Sequence, residues 1–513
     1  MVNEEGPCDL WSWVVWRAEQ SPERPLAFDE QGRTLDFGTL RDRGERVAAG
    51  LLETGLIPGS RIAWMLPTRL ESLLLTVALA RLDCTQIPLI PIYGSRELGF
   101  ILGQARPEWI VIPGRWKERD YAALVEEARP KDSETPRVLA AAPDLPEADP
   151  GALPEHRTAL DDPIRWIFYT SGTTSDPKGA LHSDGTLLAS AIGIERPHAF
   201  SADDRVSLVF PYAHIGGPQL LFSALRVGLA LILTESFEPQ VVIDTLSRHG
   251  VTLAGPGPAF WQAFIRAQRE RPGRRLFPCL RALIGGGAAK PVRLHSEARA
   301  VLDVPIVSGY GLTECPANAY NYVDDPDAVL ATDGRPVEGV EIRIVRPDEC
   351  EAAAGEEGEI RVRGPMLFRG YLDPELDAEA IDAAGFLRTG DLGCLDEAGQ
   401  LRVTGRAKDV IIRKGENISA KEVEDVLGGH PAIDEVAVIG LPDRERGERC
   451  CAVIVPADPA KPPTLDEIAA HCGRAGLMRQ KHPEQLEYLD ALPRNTTGKV
   501  LKSDLRARFD EAR

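Results

Sequence analysis

Three clusters of residues in this chain have the types and spacing that phosphate chemistry needs. In WIFYTSGTTSDPKG (166–179) an aromatic and β-branched strand runs into Thr170, Ser171, Gly172, Thr173 and Thr174, and Lys178 closes the segment. Glycine lets the backbone turn sharply and present N–H groups, and hydroxyls add donors. Lysine supplies a point charge, so the whole makes a cradle for phosphate oxygens. It is not a Walker A loop, which would need Gly at 177 and Ser or Thr at 179, where this chain has Pro177 and Gly179. In GYGLTE (309–314) Tyr310 and Gly311 precede Leu312, Thr313 and Glu314. The ring can stack on a nucleobase, the hydroxyl can donate to a phosphate oxygen, and the carboxylate can hold Mg²⁺. Glu314 stands where the dinucleotide pattern GxGxxG needs glycine. In LIGGGAA (283–289) Gly285, Gly286, Gly287 and Ala288 follow an apolar strand, so a flat ligand can approach the backbone.

The elements around these clusters alternate. WSWVVWRAEQ (11–20) is amphipathic and stops before Pro22 and Pro25, and LAFDEQGRTLDF (26–37) reads as a hairpin around Gln31 and Gly32. Helical spacing over 39–53, a strand at 62–66, a buried helix over 70–82 and a strand at 109–113 follow. That alternation predicts an α/β fold, a mainly parallel sheet with helices on both faces. Residues 129–163 carry seven prolines and little periodicity, which reads as a surface excursion. Strand–helix units resume from Trp166 to about Leu302, and short strands with turns over about 333–404 predict a small β-rich subdomain. From Gly405 the order strand, helix, strand, strand, helix, strand predicts a compact α+β domain. The expected division is therefore 1–404 and 405–513.

Composition narrows the partners. The 513 residues exceed one ordinary domain, and 43% hydrophobic with 27% charged residues is a globular balance. With 59 Lys and Arg against 78 Asp and Glu the net charge is −19, which argues against nucleic acid or an anionic membrane as the main partner. The longest apolar runs, such as Val227–Leu233, are too short for an integral membrane segment, and the start MVNEEGPCDLW has no apolar signal core. Nine cysteines without a CxxC pair fit reduced thiols and a cytoplasmic location. No HExxH or Cys/His cluster points to zinc.

YTSGTTSDPKG resembles the phosphate loop of the adenylate-forming superfamily, and other signatures of that superfamily follow in order. They are PYAHIGG (211–217), LIGGGAA, GYGLTE, LRTGDLG (387–393), GRAKDVIIRKGEN (405–417) and PRNTTGKVLK (493–502). The resemblance runs from about residue 10 onward. It implies a large N-terminal domain with a small mobile C-terminal domain, ATP, Mg²⁺ and coenzyme A as cofactors, and a homodimer as an allowed assembly. It makes Lys499 the catalytic lysine, with Thr313, Glu314 and His214 as further catalytic residues and Glu314 the metal ligand. Asp391 becomes the acceptor of both ribose hydroxyls, Arg406 a ribose contact, Lys408 the hinge, and Gly415 the opening for pantetheine. The glycines at 285–287 and Ala288 then line adenine, while His214, Ile215, Gly216, Gly286 and Leu312 line the acyl pocket.

Within the superfamily, SLVFPYAHIGGPQLL lacks the acid that pairs with an amino acid's ammonium group, and Ile215 replaces the Asn of hydroxybenzoate ligases. The chain is most similar to acyl-CoA synthetases for medium-chain, alicyclic or aromatic acids. A ligase that loads a carrier protein is the alternative. Pro493, Gly498 and Lys499 form a PxxxxGK pattern resembling sites of lysine acetylation, so an acetyltransferase is an expected partner. Ser175, Ser308 and Leu387 depart from the superfamily's usual residues, and the last two leave acyl-pocket detail open.

Overall fold

A computed structural model describes residues 6–129, 135–141, 144–156, 158, 161–170, 177–235, 238–287, 290, 292–413, 416–443, 447–495 and 498–510. Two large sheets dominate. One has nine strands, of which Pro25–Phe28, Arg205–Leu208, Ala230–Leu233, Leu253–Ala254, Ala282–Gly286 and Ile306–Tyr310 run parallel. The other has six strands built around Arg61–Trp64, Thr85–Pro88, Trp109–Ile112 and Ile164–Thr170.

Alternate residues of each strand enter different cores, which explains the layering. Ile62, Trp64, Trp166 and Phe168 share one core with Val206, Leu208, Leu231, Ile284 and Val307. Their neighbours Ala63, Ile110, Ile167 and Tyr169 enter a second core with Leu98, Ile101 and Leu124. Ile232, Leu283 and Ile306 enter a third with Val242, Trp261 and Phe264. Successive side chains of a strand point to opposite faces, so both sheets are covered on both sides. The helices Leu10–Gln20, Phe37–Glu53, Leu70–Arg81, Asp184–His198 and Gly216–Val227 fill the space between the sheets. Leu70–Arg81 is apolar nearly all round, and it is buried nearly all round.

A four-stranded antiparallel sheet follows: Glu341–Val345, Gly358–Arg363, Leu387–Leu395 and Leu401–Arg406. The last unit is a five-stranded sheet with Ala420–Leu427 and Leu465–Arg474 packed into one core and Lys502–Asp510 into another. Two details differ from the sequence reading. Residues 129–163 contain the strand Arg137–Ala140, parallel to Trp109–Ile112; it is largely exposed, so it lacks the apolar alternation that marks a strand. The C-terminal unit opens on the hairpin Val410–Arg413 and Glu416–Ser419, in Arg413↔Glu416 register, and closes on a helix whose buried Leu505 and Phe509 lie one turn apart.

Buried imidazoles set the acid side of stability. Burial holds His182, His198 and His214 down to about 4, against about 6.5 for a free histidine. The unfolded chain binds these protons first as pH falls, so their contribution to stability is lost between about pH 6.5 and 4. Asp184 opposes this: burial pushes it up to about 6, so the folded state takes that proton first. Three groups against one give a net uptake of about two protons on unfolding near pH 5. Thermal melts from pH 6.5 to 5 should lose stability with that slope; a flat profile would contradict the burial of the imidazoles.

Candidate active site

Three chain segments meet at one carboxylate. Asp391, only 4% exposed, lies on the strand Leu387–Leu395 beside Arg406 on the next strand. Its Oδ2 accepts the Tyr310 hydroxyl at 2.8 Å, and its Oδ1 accepts Arg406 Nε at 2.5 Å. Its backbone N–H donates to Thr389 Oγ1 at 3.1 Å, and that hydroxyl donates to the Ile360 carbonyl. Burial, then the Asp391 charge, raises the Tyr310 phenol well above its usual value, so it stays a donor. Burial works against the Arg406 charge, yet Asp391 wins and holds it up. Each carboxylate oxygen has taken one donor, so lone pairs remain for two hydroxyls.

A second cluster gathers around Glu314. Its Oε1 accepts the Tyr371 hydroxyl at 2.7 Å, and its backbone carbonyl accepts Phe368 N–H at 2.8 Å. Lys178 Nζ lies 5.4 Å from the centre of the same Tyr371 ring. The segment that carries Tyr371 is bonded to the strand Lys178–Ser183 through Leu181, Leu372 and Gly179. His182, wholly buried on that strand, donates from Nε2 to the Thr313 carbonyl at 2.9 Å. Neither Tyr371 nor His182 stood out in the sequence. Each is a single residue outside every recognisable motif, and only strand pairing brings it to GYGLTE. Among the described residues no group of three or more His, Cys, Asp or Glu could hold a metal. A carboxylate such as Glu314 could hold an ion that takes its other ligands from phosphate and water, as Mg²⁺ does.

Lys499, on the C-terminal unit, lies within electrostatic range of the first cluster. Burial depresses its ammonium and the Arg406 cation adds to that, while Asp391 and Asp409 oppose it. Its loop is held locally: Lys499 N–H donates to Asn495 Oδ1 at 2.8 Å, and Gly498 N–H to the Asn495 carbonyl at 2.9 Å. A Cβ on Gly498 would lie 4.0 Å from Ala259 Cβ, so the loop rests on the helix Pro258–Arg269. Asp409, beside the expected hinge, pairs with Arg506 at 2.8 Å. Thr170 ends its strand at the edge of the phosphate-loop segment. Ser171, Gly172, Thr173, Thr174, Ala288, Gly415 and the Lys408 side chain lie outside the described residues.

The remaining candidates sit at the carboxyl ends of parallel strands, where ligands of open α/β sheets bind. His214 follows Arg205–Leu208; its Nδ1 accepts Gly216 N–H at 3.3 Å, which leaves the proton of the neutral ring on Nε2. The Phe210 ring stands edge-on to it at 6.1 Å, and Ile215 is buried. Leu312 N–H closes a turn onto the Cys315 carbonyl at 3.0 Å, while a side chain on Gly311 would strike the Pro316 carbonyl. Gly286 ends its strand opposite Gly309, and a Cβ there would come within 2.4 Å of the Gly309 carbonyl oxygen. A larger residue at 286 would therefore distort the sheet instead of narrowing a pocket, so Gly216, facing the Phe210 ring at 3.3 Å, is the usable site. At Gly287 and Gly390 an added Cβ would meet nothing within 4 Å, so open space lies beside both.

Comparison with known proteins accords with this geometry. Residues 14–372 match the family described as AMP-binding enzyme, and residues 422–499 match the AMP-binding enzyme C-terminal domain. The chain is 30% identical to the medium-chain fatty-acid–CoA ligase of Escherichia coli, over 98% of this chain and 90% of that protein. It is 33% identical to the feruloyl-CoA synthase of an Amycolatopsis species, over 98% of this chain and 99% of that one. The crystal structure of ATP-bound MatB from Rhodopseudomonas palustris superposes with a TM-score of 0.86 at 27% identity, covering 98% of this chain and 99% of that one. The buried Asp391 between Tyr310 and Arg406, the Glu314 cluster and two matched family models together place this chain among the AMP-binding enzymes, in the acyl-CoA synthetase branch of the adenylate-forming superfamily.

Proposed function

We propose that this chain is an ATP-dependent acid–CoA ligase, and that a medium-chain, alicyclic or unsubstituted aromatic acid is its substrate. The observation that carries the reading is the buried Asp391 held between Tyr310 and Arg406, with Lys499 of the C-terminal unit within electrostatic range of it. The substrate carboxylate attacks the α-phosphorus of ATP, pyrophosphate leaves, and acyl-AMP forms. A CoA thiolate then attacks the acyl carbon and AMP departs. Both partners of the first step are anionic, so the site must neutralise charge and hold them in line. Lys499, Lys178 and Arg406 supply cations, Asp391 accepts the ribose hydroxyls, and Tyr310 offers its face to the base. Thr313 donates to a phosphate oxygen. When bound on Glu314, Mg²⁺ would screen the phosphate charge.

The division near 404 and the hinge at Lys408 belong to the same reading, with Gly415 admitting pantetheine after the C-terminal unit turns. The matches to separate family models on either side of the hinge support it. Nine free cysteines favour a cytoplasmic location. AMP release measured across a panel of acids, with and without CoA, tests the function: thioester without added carrier protein supports the CoA ligase, and turnover only with a carrier supports the alternative.

Lys499→Ala should lower adenylation by at least ~10²–10³, the scale of losing a charge-stabilising donor. Thioester formation from supplied acyl-AMP should survive, and equal loss of both half-reactions would contradict the two-orientation reading. Acetylation at Lys499 removes the same charge. Mass spectrometry after treatment with an acetyltransferase should show modification together with lost adenylation.

The acid preference can be read directly. A ring hydroxyl buried beside Ile215 and Gly216 without a partner costs roughly 1–3 kcal/mol, about ten- to a hundredfold in kcat/KM. Salicylate should therefore lag cyclohexanecarboxylate by that factor, and equal values would remove the basis for the assignment. Gly216→Leu should shorten the accepted acid while the KM for ATP changes little.

A further inference from the structure

Lys290 is buried, 8% exposed, and stands three residues after Gly287 in the sequence. Its Nζ donates to Ser308 Oγ at 2.7 Å, to the Thr332 carbonyl at 3.3 Å and to the Leu330 carbonyl, with Asn321 Oδ1 at 3.5 Å. All four acceptors are neutral. The network continues behind them: Ser308 Oγ donates to Asn321 Oδ1 at 3.1 Å, Asn321 Nδ2 to the Val329 carbonyl at 3.0 Å, and Thr332 Oγ1 to the same carbonyl at 2.7 Å. Ser308, Asn321 and Thr332 are all buried. A buried ammonium on neutral oxygens is costly, so its presence calls for a role that an apolar side chain would not fill.

Its placement gives that role. Ser308 lies two residues before Tyr310, and its strand pairs Gly309 with Gly286 of the glycine loop. Both strands end where the nucleotide and the acid are read to meet. We propose that Lys290 is a positioning residue for adenylation: its ammonium draws the Tyr310 strand and the glycine loop together and sets the gap between them. The inference rests on the acid–CoA ligase reading. It also gives Ser308 a purpose, since that side chain is turned to the lysine.

The charged groups facing Lys290 come from each element around it. His295 is on the helix Val292–Leu302, Asp333 follows Thr332, and Lys421, paired to Asp425 at 2.7 Å, belongs to the C-terminal unit. Burial pushes the Lys290 ammonium down to about 8, Lys421 pushes the same way, and Asp333 opposes. The unfolded chain therefore binds this proton more firmly than the folded one above pH 8, and the group's contribution to stability rises with pH from about 8 to 10.5. Activity that needs the charge falls over the same range.

That opposition separates positioning from plain support of the fold. Adenylation, measured as pyrophosphate exchange, and thermal melting would be followed from pH 7 to 10 for the wild type, Lys290→Met and the milder Ser308→Ala. At pH 7 Lys290→Met should lose about 10²-fold in kcat, the scale of a misplaced reacting group, with the KM for ATP changed less. Ser308→Ala should lose less. As pH passes 8 the activity ratio of wild type to Lys290→Met should fall towards one, while the wild type gains stability relative to the variant. An activity ratio constant with pH, or one that moves with the stability difference, would overturn the proposal. If Lys290→Met does not fold, Ser308→Ala and the wild-type alkaline limb decide it: no limb near pH 8, or an unaltered Ser308→Ala, overturns it. A wild type without pyrophosphate exchange would instead overturn the ligase reading, and this inference with it.

Discussion

The site is organised around a carboxylate that cannot be left alone. Asp391 is almost wholly removed from solvent, and a buried charge without partners would cost several kcal/mol. Its two donors come from different sheets: Tyr310 from the nine-stranded one and Arg406 from the four-stranded one. The need to satisfy one anion therefore fixes the two sheets at the distance the site requires. Burial and then the Arg406 cation push the Lys499 ammonium down, while Asp391 pushes the other way.

The second constraint is backbone proximity. Gly286 and Gly309 face one another across neighbouring strands with no room for a side chain. Such closeness leaves the strand ends open for a flat ligand, but it gives up the side-chain packing that would otherwise hold them. Hydrogen bonds from outside the strands make up the difference. His182 holds the Thr313 carbonyl, Tyr371 holds the Glu314 carboxylate, and Lys290 holds Ser308. His182 and Tyr371 lie 131 and 57 positions from their partners, so the geometry of GYGLTE is a property of the whole large domain.

How much of this was legible in the sequence depends on the kind of signal. Strands buried on both faces, such as Arg61–Trp64 and Trp109–Ile112, stand out as short apolar runs. Arg137–Ala140 does not, because an exposed edge strand needs no apolar pattern. Motif residues are legible because the chemistry demands their types in close succession. Supporting residues are not, since any donor of the right length on any neighbouring strand can serve.

The sequence by itself determined the α/β alternation and the order of the motifs, since local periodicity and dense polar turns are properties of adjacent residues, and the resemblance of those motifs to the adenylate-forming superfamily implied the candidates Glu314, Asp391, Arg406 and Lys499. Only the tertiary structure decided that Tyr310 donates to Asp391, that Tyr371 and His182 stand behind GYGLTE, and that Gly286 has no space for a larger residue. It also decided that Lys290 is buried among neutral oxygens. The physical reason is separation: these contacts join residues from 18 to 131 positions apart, and chain folding, not chain order, sets which distant donor meets which acceptor.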